Sequence, residues 1–229
     1  VADEDLWETI DWVYADGEVY PVEFVEGEQY RIMWMNKGTL KFGFTGMEQI
    51  IPGSCTEDGL RIARALRFAC TLDFALDPAV LEAALACRDR LRAVSLPRLR
   101  TELQSAVLGC APQAMEPFLA AGGLILPGLP VPDTGFTLAP LAQVPCRMLL
   151  RWWGFLTLLK PDKKQFCTAM GFAEHFYKDL VLLDAWFAAP AERITLKRRA
   201  AAKPPADMAE ILEAFCALDS RFEENRAQW

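Results

Sequence analysis

The pattern of apolar and polar positions changes near residue 56, from short strand-like segments to helical spacing. Four segments rich in β-branched and aromatic side chains are residues 9–14, 19–25, 30–35 and 39–44. Asp16-Gly17, between the first two, is a hairpin signal. We therefore predict a small β region in residues 1–55, followed by an all-helical array, which is an α+β fold class.

The first predicted helix is amphipathic. Thr56 is a suitable N-cap, and Glu57 and Asp58 place negative charge in the first turn, where the helix dipole favours it. At 100° per residue, one arc collects the apolar positions Ile62, Ala63, Leu66, Ala69 and Cys70, and the opposite arc collects Arg61, Arg64 and Arg67. The arginine arc is therefore predicted to face away from the core.

Later signals divide the helical part. Asp77-Pro78 begins a second helix that continues to about Arg92, and Ser95 caps a third. Further helices are predicted at about 144–159, 162–172, 173–188 and 206–219, the last capped by Asp207, with a basic, proline-rich linker around 197–205. The predicted domains are a β region at 1–55, a helical group at 56–121, a Gly/Pro-rich connection at 122–143 and a second helical group at 144–229.

Charge is distributed unevenly along the chain. Residues 1–60 carry 13 acidic and three basic side chains, whereas the remainder carries 21 basic and 18 acidic ones, within a total net charge of −7. An acidic chain argues against strong nonspecific binding to nucleic acid. It leaves room for a local basic face on the helical part, where we expect an RNA partner.

Cysteine and histidine usage excludes several classes of site. The seven cysteines form no C-x-x-C pair, which predicts reduced, buried thiols in the cytoplasm. His175 is the single histidine, so a multi-histidine metal phosphohydrolase is excluded. The most apolar stretch, residues 144–159, is interrupted by Arg147 and Arg151, and we predict no membrane span. The chain starts at Val1, which indicates a fragment or a processed chain.

Ordered motifs follow one another from Thr56 to Leu108. They are Glu57-Asp58-x-x-Arg61, then Arg64 and Arg67-Phe68, then Phe74-Ala75-Leu76-Asp77-Pro78, then Val94-Ser95-x-x-Arg98-Leu99-Arg100-Thr101-Glu102-Leu103. This order resembles the neck of the class II CCA-adding tRNA nucleotidyltransferases and of their bacterial poly(A) polymerase relatives. Residues 42–50 and 17–24 resemble, more weakly, the family's head–neck link and the head strand that carries its third carboxylate.

The resemblance implies a nucleotide-binding site made of Asp58, Arg61 and Arg64, in which Asp58 and Arg61 read the Watson–Crick edge of CTP or ATP. A carboxylate accepts from an exocyclic amine, and a guanidinium donates to ring nitrogens or carbonyl oxygens. Residues one helical turn apart point toward the same base edge. The alternative is a surface ion pair that follows a helix cap.

The family's phosphoryl transfer needs two metal ions, held by a D-x-D pair and a third carboxylate, and a G-G-x-V-R-D loop. Asp3 and Asp5 have the D-x-D spacing and Glu23 is a candidate third carboxylate, but only 18 positions separate Asp5 from Glu23. A solvated acidic end is the alternative for Asp3 and Asp5. Neither the loop nor the family's R-R-D-F-T-x-N-A segment is found, so the chain as given is predicted not to add nucleotides by itself.

Two explanations fit the missing motifs. Either an N-terminal part has been removed, or the head has degenerated, and the absent middle segment favours degeneration. Mg²⁺ is expected as a cofactor only if the head is complete.

Three functions remain open. The first is a nucleotidyltransferase that processes tRNA 3′ ends with CTP or ATP. The second is a non-catalytic binder of tRNA or another RNA, whose predicted phosphate contacts are Arg88, Arg92, Arg98 and Arg100. The third is a protein-interaction module or homo-oligomer, because seven tryptophans are many for 229 residues.

Overall fold

The chain divides into two compact units, Val1–Pro52 and Gly53–Trp229. In the computed structural model, the described residues of the first unit are four strands between residues 12 and 44. Those of the second unit are 59–76, 78–124, 126, 128–133, 135–189, 192–201 and 203–223.

The first unit contains two antiparallel hairpins. Their strands are β1 (Trp12–Ala15), β2 (Glu18–Pro21), β3 (Tyr30–Asn36) and β4 (Thr39–Phe44). β1 pairs with β2 so that Trp12 lies opposite Pro21, and β3 pairs with β4 so that Tyr30 lies opposite Phe44. The interpretation of this part as the remnant of a nucleotidyltransferase head stays a prediction.

The second unit is an array of helices. In chain order they are α1 (Leu60–Leu72), α2 (Pro78–Ala86), α3 (Leu96–Val107), α4 (Glu116–Ala120), α5 (Met148–Leu159), α6 (Lys163–Ala169), α7 (Glu174–Ala188), α8 (Arg193–Ala201) and α9 (Met208–Leu218). Short 3₁₀ helices are Arg88–Ala93, Pro112–Met115, Ala139–Gln143 and Ser220–Phe222. The helical part of the predicted fold is therefore confirmed for the described residues.

The apolar arc predicted for α1 is confirmed. Its five residues are all buried, with at most 3% of any side chain exposed: Ile62, Ala63, Leu66, Ala69 and Cys70. α1 packs against α3, whose predicted apolar positions Leu99, Leu103 and Val107 are also buried. Because burial of a Leu or Ile side chain contributes about 1.5–3 kcal/mol, this pair of helices is held mainly by its shared apolar face.

Aromatic side chains form the core around α5. The Trp153 ring lies 5.0 Å from that of Phe215 and 5.1 Å from that of Phe187. Trp152 and Trp153 are fully buried and Trp186 is nearly so, and these three tryptophans therefore belong to the core. The side chains of the other four tryptophans lie outside the described residues.

One predicted helix boundary and the first part of one predicted linker are wrong. The helix expected to reach Arg92 ends at Ala86 and is followed by a 3₁₀ helix, in which Leu91 is buried between exposed charged residues. The basic segment predicted as a linker lies instead in α8. Arg199 is only 7% exposed there, with its guanidinium 5.7 Å from the ring of Trp186. Arg199 therefore packs on α7, a contact that composition alone does not reveal.

The prediction of buried thiols holds for only some of the cysteines. Cys70, Cys167 and Cys216 are buried, but Cys110 and Cys146 are exposed. Within the part of the chain that the structure describes, no helix is both long and apolar enough to cross a bilayer.

Candidate functional site

The first turn of α1 lies directly against the backbone of the 3₁₀ helix Arg88–Ala93. A Cβ atom on Gly59 would lie 2.5 Å from the carbonyl oxygen of Arg90, closer than real Cβ contacts. Glycine at position 59 is therefore what allows the two backbones to meet. Asp58, the predicted base reader next to it, lies outside the described residues, so its pairing with Arg61 stays a prediction.

The arginine arc of α1 faces outward, as its spacing predicts. Arg61 and Arg67 are half-buried, and the Arg64 side chain is 45% exposed. None of the three enters the apolar interface between α1 and α3. The arginine arc therefore lies outside the buried apolar face of α1.

Glu102 of α3 holds two of these arginines. Its Oε2 accepts a hydrogen bond from Nε of Arg67 at 2.6 Å, and its Oε1 accepts from Nε of Arg64 at 3.3 Å. The Glu102 side chain is only 12% exposed, which strengthens both contacts relative to a surface pair. The guanidinium of Arg67 also lies 4.0 Å from the ring centroid of Phe68. We call Arg64, Arg67 and Glu102 the neck clamp.

Glu102 lies inside one of the sequence motifs, but the sequence alone predicts no role for it. The residue is 35 positions from Arg67 and 38 from Arg64, so no local pattern connects them. One sequence feature could have indicated this role. Glu102 lies between Leu99 and Leu103, which places it beside the buried face of α3. A carboxylate at such a position needs a cationic partner.

The predicted RNA contacts fall into two groups. Arg88, Arg92 and Arg98 are exposed, and Arg92 makes only a loose pair with Asp89, at 3.7 Å between two largely exposed side chains. Arg100 instead donates from Nη1 to the backbone oxygens of Gly171, at 2.6 Å, and Met170, at 3.2 Å. It thereby connects α3 to the end of α6.

The predicted catalytic carboxylates Asp3, Asp5 and Glu23 lie outside the described residues. Among the residues that are described, no group of three or more His, Cys, Asp or Glu side chains is placed to hold a metal ion. The expectation of Mg²⁺ therefore stays a prediction that concerns the first unit.

No family model matches the chain. Individual proteins match it in two ways, by amino-acid sequence and by fold. The CCA-adding enzymes of Limosilactobacillus reuteri strain DSM 20016 and of L. reuteri subsp. reuteri strain JCM 1112 are each 40% identical to it over 67 residues. That match covers 29% of this chain and 17% of either relative. The chain therefore shares only a short part of the length of these relatives.

The crystal structure of the Bacillus stearothermophilus CCA-adding enzyme in complex with CTP has the same fold over a larger range. The TM-score is 0.57 at 19% identity, and the match covers 76% of this chain and 47% of that one. At this identity the likeness shows the fold. The sequence match and the shared fold both support the class II CCA-adding family, which the ordered motifs of residues 56–108 indicate.

Proposed function

We propose that this chain carries the nucleotide-reading and RNA-contacting part of a tRNA nucleotidyltransferase-like protein that acts at tRNA 3′ ends. One observation carries the proposal. Two arginines of the outward arc of α1, Arg64 and Arg67, are held by Glu102 in a helical array whose fold matches that of a CCA-adding enzyme solved with CTP. We also propose that the protein is located in the cytoplasm.

The proposed readers suit cytosine and adenine for one chemical reason. Both bases present an exocyclic amine next to an unprotonated ring nitrogen, whereas uracil and guanine present a carbonyl next to a ring N–H. The Asp58 carboxylate accepts from the amine, and the Arg61 guanidinium donates to the ring nitrogen or to a carbonyl oxygen. A wrong base leaves these groups unpaired, which costs about 1–3 kcal/mol per lost bidentate contact.

Arg64 has a different role in the proposal. Its Nε contacts Glu102, yet the side chain is still 45% exposed, so the guanidinium is oriented and accessible at once. An oriented arginine loses less conformational entropy when it binds an anion than a freely rotating one. We assign it to the ribose or phosphates of the same nucleotide.

RNA contact is assigned to the exposed arginines of the 3₁₀ helix Arg88–Ala93. Arg88 and Arg92 lie on its solvent side, and such side chains contact phosphates without reading sequence. Arg100 is a weaker candidate because two backbone carbonyls already occupy its Nη1. Replacing Arg88 or Arg92 is therefore expected to lower both tRNA affinity and its salt dependence, and Arg100→Ala to change stability more than the salt slope.

Reading a nucleotide and adding it are separate parts of the proposal. Addition needs metal-binding carboxylates, and this chain offers Asp3, Asp5 and Glu23 as candidates for Mg²⁺. We propose that the chain alone reads nucleotides without adding them. Incorporation of labelled CMP or AMP into a tRNA that lacks its 3′ end would contradict the second half of that statement and leave the first intact.

Binding of the four ribonucleoside triphosphates in magnesium tests the reading step directly. We expect saturable binding of CTP and ATP, with UTP and GTP roughly tenfold weaker or worse. Asp58→Asn and Arg61→Met are expected to remove that preference. Lys178→Met is the control, because Lys178 is 72% exposed and lies on α7, outside the proposed site. Equal binding of all four nucleotides, or equal effects of Arg61→Met and Lys178→Met, would show that the arginine arc does not read bases.

A further inference from the structure

The turn that follows α3 is hydrogen-bonded both to α5 and to the segment that precedes α5. The Cys146 thiol donates to the backbone oxygen of Leu108 at 3.5 Å, and Nη1 of Arg151 donates to that of Gly109 at 3.3 Å. The next residue is Cys110, whose thiol lies 3.5 Å from the backbone oxygen of Thr71. Two thiols that are 36 positions apart in sequence therefore belong to one small region.

Both thiols differ from the buried cysteines of the chain. Cys110 and Cys146 are exposed, and each lies in a non-helical segment. Burial raises the pKa of the Cys70 thiol to about 12 and that of Cys167 to about 11. Since the thiolate is the reactive form, those two cysteines are held unreactive.

A buried cation lies beside the two exposed thiols. The Arg151 side chain is 5% exposed and its Nε has no hydrogen-bond partner, while its terminal nitrogens donate to the carbonyls of Gly109 and Ala142. Among the described residues no carboxylate is within ion-pair distance of it. Burial lowers the pKa of Arg151, and the charges of Cys146 and Cys110 act in the opposite direction. Arg151 is therefore a buried cation that has no anionic partner among the described residues and that lies close to both exposed thiols.

We propose that Cys110 and Cys146 are a redox pair that forms a disulfide by exchange with a low-molecular-weight disulfide such as glutathione disulfide. One protein thiolate attacks a sulfur of glutathione disulfide, and a mixed disulfide forms as one glutathione thiolate leaves. The second protein thiolate then attacks the protein sulfur of that mixed disulfide and releases the second glutathione. Two protein thiols are oxidised, one glutathione disulfide is reduced to two glutathione molecules, and the two protons end on those thiols.

The disulfide has a structural consequence. It links the turn after α3 to the residue before the N-cap of α5, and so joins the two helical groups covalently. The pair shares no residue with the neck clamp, and the inference does not depend on nucleotide reading.

Peptide mapping of the whole chain after equilibration in glutathione redox buffers tests the pair. A protease that cleaves before aspartate cuts at Asp133 and separates Cys110 from Cys146. We expect a linked peptide pair that contains both cysteines and weighs about 2 Da less than the sum of its parts, because two hydrogens are lost. The linkage is expected to vanish in Cys110→Ser and in Cys146→Ser and to persist in Cys87→Ser.

Two outcomes would overturn the proposal. One is that only single cysteines carrying glutathione are found at every redox ratio. The other is that Cys110 or Cys146 links to a different cysteine at the same ratios. Arg151→Met, checked for a retained fold by circular dichroism, is expected to slow the linkage several-fold if the buried cation supports the thiolate. An unchanged rate would remove Arg151 from the mechanism.

Discussion

Replacement of Glu102 by glutamine removes the negative charge that lies between Arg64 and Arg67 while the side-chain volume is kept. The 2.6 Å contact with Arg67 is a charge-assisted hydrogen bond between side chains that are 27% and 12% exposed. Such bonds contribute about 1.5–3 kcal/mol when they are shielded, whereas the contact with the more exposed Arg64 contributes about 0–1 kcal/mol. Glutamine keeps one acceptor oxygen. We therefore expect Glu102→Gln to lower the free energy of unfolding by about 1–2 kcal/mol.

Urea unfolding followed by circular dichroism measures this loss. For a unit of this size, about 1–2 kcal/mol corresponds to a fall in Tm of roughly 2–8 °C. Glu174→Gln is the matched control, because Glu174 is 74% exposed and 3.8 Å from Lys178, and it is expected to cost less than about 0.5 kcal/mol. In an Arg67→Met background, Glu102→Gln is expected to cost much less than in the natural chain. Equal midpoints for the Glu102 and Glu174 variants would refute the neck clamp as a stabilising element.

Two further predictions concern single carboxylates near the end of the chain. Asp207 accepts hydrogen bonds from the backbone N–H groups of Ala209 at 2.8 Å and Glu210 at 3.4 Å. Asp207→Ala is therefore expected to lower the free energy of unfolding by about 1 kcal/mol, and Asp207→Ser by much less. Similar urea midpoints for the two variants would contradict this capping role. The backbone N–H and the guanidinium of Arg221 lower the pKa of Asp219 below its ordinary value of 3.8. The contribution of Asp219 to stability is therefore complete above pH 3.8 and is lost as the pH falls through the lower folded-state pKa. The difference in unfolding free energy between the natural chain and Asp219→Asn should therefore shrink from about pH 5 to about pH 2, and a constant difference would show that Asp219 does not titrate as described.

Features that depend on neighbouring residues in sequence were predictable here. The buried arc of α1 follows from helical spacing, and all five of its predicted residues are in the core. The Asp207 cap was predicted because a carboxylate at an N-cap bonds to N–H groups two and three residues later, and the structure confirms it. Ser95 occupies the predicted N-cap position of α3, but its side chain makes no capping hydrogen bond.

Features that depend on distant residues were not predictable from one sequence. The neck clamp joins positions 35 and 38 apart, and Arg199 of α8 packs on Trp186 of α7. Arg151 was visible only as an interruption of an apolar stretch. Its hydrogen bonds to Gly109 and Ala142 appear only when the helical groups are assembled.

The contact at Gly59 limits how the start of α1 can change over evolutionary time. Two backbones meet there with no side chain between them, and a backbone cannot be repacked as a side chain can. The start of α1 therefore has no adjustable spacer through which it could shift relative to the 3₁₀ helix. If α1 reads bases as we propose, a change of base preference is expected to come from exchanging side chains such as Asp58 and Arg61 rather than from moving the helix.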